Sequence, residues 1–136
     1  MGMPAIAEDW TVERLHALPD DGKRYEIIDG ELHVTPAPGA PHQELVFELA
    51  KRLDTYMKGT GLGKVMISPA DVRIQDSNRT SVQPDVYVIR RYNGVRPEEP
   101  FVLPQLLFAA EVVSRDRKYD YVKKRDLYER TGVNTY

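Results

Sequence analysis

Residues 106–113 read LLFAAEVV, an almost unbroken apolar run that carries one carboxylate, Glu111. A run this short and this apolar is the pattern of a β-strand covered on both faces. It predicts a strand from Leu106 to Ser114, with helices on either side of the sheet that contains it. A glutamate inside such a strand is costly to bury unless a cation, a proton or several donors meet it. The alternative is a strand that surfaces near its end and lets Glu111 reach water.

A second run, SVQPDVYVI at residues 81–89, reads as a neighbouring strand over Val82–Ile89. Side chains alternate along a strand, so Gln83, Asp85, Tyr87 and Ile89 should share one face. Pro84 cannot donate to a ladder and marks a strand start, an edge or a bulge. Aspartate is disfavoured in strands, yet Asp85 stands directly before strong strand formers. Either it caps a turn at the strand entrance or it serves chemistry. Carboxylates on two adjacent strands would form a hard-oxygen site of the kind Mg²⁺ prefers, with Mn²⁺ as a substitute.

Further outward the pattern supplies the rest of an α/β domain. Tyr25–Ile28 and Glu31–Thr35 flank Asp29-Gly30, a two-residue hairpin signal. Lys64–Ser68 and Val72–Gln75 read as strands. Residues 10–17 read as a short helix, and residues 41–58 as a long one with Pro41 in its first turn. The basic stretch from Arg117 to Arg130 is helical and ends at Thr131-Gly132. The order helix, hairpin, helix, strands, helix predicts an α/β sandwich with a central mixed sheet flanked by helices. No repeat or linker divides residues 1–136, which are expected to form a single domain.

Two helices aim polar groups inward. On the last one, at ~100° per residue, Tyr121, Leu127 and Tyr128 share a side and Lys124 falls among them. Lys123, Arg125 and Arg130 fall outside that stripe. Asp120 lies one turn before Lys124 and would pair with it. An ordinary exposed pair of this spacing contributes only ~0.2–0.5 kcal/mol, so the plain reading is a snorkelling lysine. On the long helix His42 heads a stripe formed by Leu45, Val46, Leu49 and Leu53. It is either a hydrogen-bonded core histidine or a group that reaches a phosphate or water. Glu26 and Glu31 beside the hairpin read as solvated charges, and Asp71 as a strand start.

Composition removes several classes. The chain has 136 residues, 41% hydrophobic and 29% charged, which is enough to bury a core. It has no cysteine, so a disulfide framework, a thiolate zinc site and a thiol nucleophile are excluded. His16, His33 and His42 have no zinc spacing. No apolar run approaches the roughly 20 residues of a membrane span, and no signal peptide is visible, so a cytoplasmic location is expected. A net charge of −2 argues against coating DNA by bulk electrostatics, though not against a local site.

The segments YEIIDGEL, PHQELVFELAKRL, QPDVYVI, AAEVVS and DYVKKRDLYERTGV, in that order, resemble the Uma2 family (DUF820) of endonucleases. That family is placed in the PD-(D/E)XK superfamily, and the resemblance covers roughly residues 21 to 136. It implies a restriction-endonuclease-like fold and Mg²⁺-dependent cleavage of nucleic acid, with DNA the expected substrate. Residue by residue, Pro84-Asp85 matches the PD element and Glu111 the second acid, both as metal ligands. The superfamily's lysine stands two residues beyond that acid, where this chain has Val113. Uma2-like sequences carry it on the following helix, four residues before a tyrosine, and Lys124 before Tyr128 fits. His42-Gln43 matches the helix start and Gln83 the residue before the PD pair, which makes His42, Gln83 and Asp120 accessory candidates. A backbone carbonyl near Val112 would complete the ligand set. Relatives continue past GV-x-x-Y, so the closing C-terminal elements of the family are expected to be missing here. A symmetric homodimer would bring two sites to a duplex. A silent binding module on the same fold, or a phosphodiesterase acting on small substrates, are the alternatives.

Overall fold

The computed structural model describes residues 6–7, 9–113 and 118–136. Its organising unit is the hairpin of β2 (Arg24–Ile28) and β3 (Glu31–Thr35). Asp29 and Gly30 turn it with φ of 51° and 83°. Two positive φ values are what a two-residue turn needs to follow the right-handed twist of its strands, and Asp-Gly supplies them cheaply. A short strand β1 (Ile6–Ala7) adds to the outer edge of β3.

Both faces of this hairpin are covered. Helix α1 (Val12–His16), capped by the Thr11 hydroxyl on the Arg14 N–H, lays Val12 and Leu15 on Ile27, Leu32 and Val34. Ile28, one position on, belongs to the main core instead. Period-two alternation therefore turns Glu26 and Ile28 toward the main core and Tyr25 and Ile27 toward α1.

The strands divide into two sheets. One is mixed and has six strands, in the order β1-β3-β2-β6-β5-β8, with β5 (Val72–Arg73), β6 (Ser81–Val82) and β8 (Phe101–Val102). Its β5–β8 pair is parallel. The other is antiparallel, β4-β7-β9, from Gly63–Ile67, Val86–Arg90 and Leu106–Ala110. The stretch expected as one strand over Val82–Ile89 is thus broken: β6 lies in one sheet and β7 in the other. Pro84 has no N–H to continue the ladder, and the chain changes sheet there. In β7 the expected alternation gives way to burial of Val86, Tyr87, Val88 and Ile89 alike, because both faces are packed. The run from Leu106 also stops short, at Ala110, leaving Glu111 just past the strand end.

Helix α2 (Ala40–Lys58) begins with Pro41 in its first turn and packs on β4. Its stripe is narrower than the periodicity predicts: Val46 and Met57 are buried, while Leu45 is 59% exposed. The last helix, α3 (Lys118–Thr131), buries Lys124, Leu127 and Tyr128 and leaves Tyr121 at the surface. Leu127 and Tyr128 close the main core with Tyr87, Phe101 and Leu106. At Gly63 a Cβ would lie 2.6 Å from Val88 Cγ1 and 2.9 Å from the Ile89 carbonyl oxygen, so only glycine lets β4 approach β7 this closely. Among the described residues no helix is long and apolar enough to cross a membrane.

Candidate active site

Two carboxylates meet because of strand register. β7 and β9 pair antiparallel with Val86 opposite Ala110. One step further along the same ladder sets Asp85 opposite Glu111. The Val112 N–H crosses back to Asp85 Oδ2 at 2.7 Å, fixing that alignment. The other oxygen, Oδ1, accepts from Arg24 Nη2 at 2.7 Å and lies 3.2 Å from His42 Nε2. Arg24 comes from the start of β2 and also donates to Ser68 Oγ at 3.0 Å.

Glu111 is engaged from α3. Lys124 Nζ donates to Glu111 Oε1 at 2.8 Å, and the Tyr128 hydroxyl donates to Oε2 at 2.5 Å. The spacing of four residues places both donors on one helix face. The same ammonium is 2.6 Å from Glu26 Oε2, which also accepts the Gln83 N–H at 2.6 Å. Glu26 Oε1 is buried with no hydrogen-bond partner. A chain of contacts thus links the hairpin, the β6–β7 break, the end of β9 and α3.

The charges follow from these contacts. Burial works against ionisation of Asp85, but Arg24 and the Val112 amide outweigh it and hold its carboxyl below the usual range. For Glu111 burial prevails, and although Lys124 opposes it, the nearby Glu26 and Asp85 charges help keep its pKa raised. Burial alone would strip the proton from Lys124; Glu111 and Glu26 instead hold it more tightly than in water. The Tyr128 hydroxyl is pushed well above its ordinary value by burial and by Glu111. Three buried carboxyl groups thus share Arg24 and Lys124 as their cations.

The structure brings Asp85, Glu111 and Lys124 together. It adds His42 at Asp85, in hydrogen-bond range and half-buried. Gln83 contributes through its amide to Glu26, while its side chain donates to Asp71 at 3.0 Å. The side chain of Asp120 lies outside the described residues. Glu26, expected to be solvated, is 1% exposed: the hairpin face that carries it is covered by the main core. Arg24 and Tyr128 were not singled out for the site. The period-two position of Glu26 next to Ile28 is the one signal that could have found it.

A divalent cation fits this donor set in a particular way. Among the described residues no three His, Asp or Glu side chains enclose a metal. Mg²⁺ seldom asks for such a cage: it is held by one or two carboxylates and keeps waters and substrate phosphate as its remaining ligands. Each carboxylate offers about four lone-pair positions, and Asp85 and Glu111 use only part of theirs on internal donors. The unpartnered Glu26 Oε1 adds one further acceptor beside them.

Comparison with known proteins adds the family. A family model described as Uma2, "Putative restriction endonuclease", matches residues 12–136. The chain belongs to the Uma2 family. Among solved structures it is similar to a protein of Anabaena variabilis ATCC 29413, described as a putative nuclease belonging to DUF820. The two superpose with a TM-score of 0.70 at 19% sequence identity, over 91% of this chain and 70% of the other. No curated protein matches the sequence. The Uma2 assignment and the shared α/β fold agree with the resemblance read from the five sequence segments.

Proposed function

We propose that this protein is a metal-dependent endonuclease that hydrolyses phosphodiester bonds in DNA. The observation that carries this reading is the pairing of Asp85 and Glu111 one step beyond the β7–β9 ladder, with Lys124 on Glu111. Mg²⁺ or Mn²⁺ bound between the two carboxylates would lower the pKa of a ligated water and neutralise charge on the phosphate oxygens.

The chain's own residues supply the rest. Asp85 stays ionised and ready to bind a cation because Arg24 and the Val112 amide stabilise its charge. Lys124 keeps a counter-charge in Glu26 when Glu111 turns to a metal, so its ammonium stays protonated and aimed at the cluster. From there it orients an attacking water or stabilises the developing oxyanion, a preorganised contribution of roughly 3–4 kcal/mol where such donors have been removed. Arg24 and His42, which meet at Asp85 Oδ1, would also contact the scissile phosphate.

One observation favours a second reading, a silent nucleic-acid- or partner-binding module. Each oxygen of Asp85 and Glu111 already meets an internal donor, so the fold does not require a metal to satisfy them. The experiment separates the two. Supercoiled plasmid and single-stranded DNA are incubated with Mg²⁺, Mn²⁺ or EDTA, parent beside Glu111→Gln, and Mn²⁺ binding is titrated calorimetrically. Metal-dependent cutting lost in the variant is expected. A folded parent that neither cuts nor binds Mn²⁺ would refute the nuclease and leave the silent module.

A further inference from the structure

Two cavities meet at the Arg24–His42–Asp85 cluster. The larger, about 570 Å³, runs from α1 along β2 to Asp85. The smaller, about 340 Å³, extends from Arg24 and His42 toward Pro36 and Val112. Both are of the size that takes a drug-sized ligand, roughly 300–1,000 Å³. A strand whose phosphate sits at Arg24 and His42 would therefore place a neighbouring nucleotide on each side.

The lining identifies what enters. Leu18, Pro19, Tyr25 and Ile67 give the larger cavity an apolar wall, and Lys23 and Gln43 stand at its polar side. An apolar wall beside hydrogen-bonding groups suits the face and edge of a nucleobase, not a sugar–phosphate backbone. The cavity's polar lining is also acidic: Asp20, Asp71 and Asp85 border it, with Asp71 3.2 Å from His16 and held by Gln83, and Asp85 held by Arg24. A duplex is gripped chiefly by cations that neutralise its phosphates, and a chain of net charge −2 whose cavity carries three aspartates is poorly suited to that grip.

Resting on the nuclease reading above, we infer that the substrate is single-stranded or locally unpaired nucleic acid, with an unstacked base seated in the larger cavity beside the scissile phosphate. In a paired duplex that base would face its partner and could not reach the wall.

The test measures binding without cleavage. Fluorescence anisotropy in EDTA, and again in Ca²⁺, compares a labelled single-stranded DNA oligonucleotide with its blunt duplex, using the parent, Lys23→Ala and Gln43→Ala. Both substituted residues are exposed and outside the metal site, so folding is retained and checked by circular dichroism. Expected is about tenfold or tighter binding of the single strand, the scale of one stacked base, with each variant weakening the single strand several-fold and leaving the duplex unchanged. Equal or tighter duplex binding, or variants that bind the single strand as the parent does, overturns the inference. If the parent still cuts DNA in that case, the nuclease reading stands and only the substrate class falls. A parent that binds neither form and cuts neither overturns both.

Discussion

Replacing Lys124 with Met probes the cluster most directly, because one ammonium serves two buried carboxylates. Lys124 Nζ is 2.6 Å from Glu26 and 2.8 Å from Glu111, and their side chains are 4%, 1% and 10% exposed respectively. Methionine keeps most of the side chain's volume, so the loss is chiefly electrostatic. Breaking a buried pair by removing one partner costs about 3–5 kcal/mol, against a total stability of about 5–15 kcal/mol for a native domain. The variant should therefore lose a large part of its stability at pH 7. The sign with pH follows from Glu111. Burial already raises its folded pKa, and loss of the opposing Lys124 charge raises it further. A group with a raised folded pKa adds stability below its unfolded value of about 4.3 and loses it as pH rises. The deficit should be large at pH 7 and shrink at pH 5. Adding Glu26→Gln removes one of the stranded charges and should recover part of the loss, with a coupling of about 0.5–3 kcal/mol. Urea unfolding followed by far-ultraviolet circular dichroism at both pH values measures the parent, Lys124→Met, Glu26→Gln and the double variant. If Lys124→Met unfolds at the parent's urea midpoint at pH 7, the shared ion pair does not exist.

Two further outcomes follow from the structure. Because the Lys124 proton is held more tightly in the folded chain, its stabilisation is complete below about pH 10.4 and is lost as pH rises through the folded value. The stability gap between parent and Lys124→Met should narrow across that alkaline range in urea titrations. Gly63→Ala should lower stability by about 1–3 kcal/mol, since the new methyl meets the backbone oxygen of Ile89 at 2.9 Å, which cannot swing away. An unchanged Tm would contradict the β4–β7 packing.

Much of this arrangement is legible in the residues. Asp29-Gly30 announces the hairpin because few dipeptides tolerate two positive φ values. The helix over residues 40–58 announces itself by Pro41 and by length. The helical stripe distinguishes Lys124, which is buried, from its neighbour Lys123, which pairs with Glu31 at 3.5 Å nearer the surface. What local pattern could not supply is tertiary. Pro84 signals an irregularity but not that the chain leaves one sheet for another. Arg24 finds Asp85 across 61 residues of sequence, and nothing near Arg24 marks it. Glu26 reads as a surface charge until α3 is known to cover that face of the hairpin. The stripe on α2 misleads in the opposite sense, since Leu45 is apolar and still faces water.

The ion cluster also has an order of assembly. In chain order Glu26 precedes Asp85 and Glu111, and Lys124 follows all three. A nascent chain halted before α3 would hold three carboxylates against Arg24 alone, with neither the cation nor the tyrosine that holds Glu111 in place. Cooperative burial of those acids has to await the docking of α3. On the nuclease reading proposed above, the acids of the site would stay without their shared cation until that helix docks.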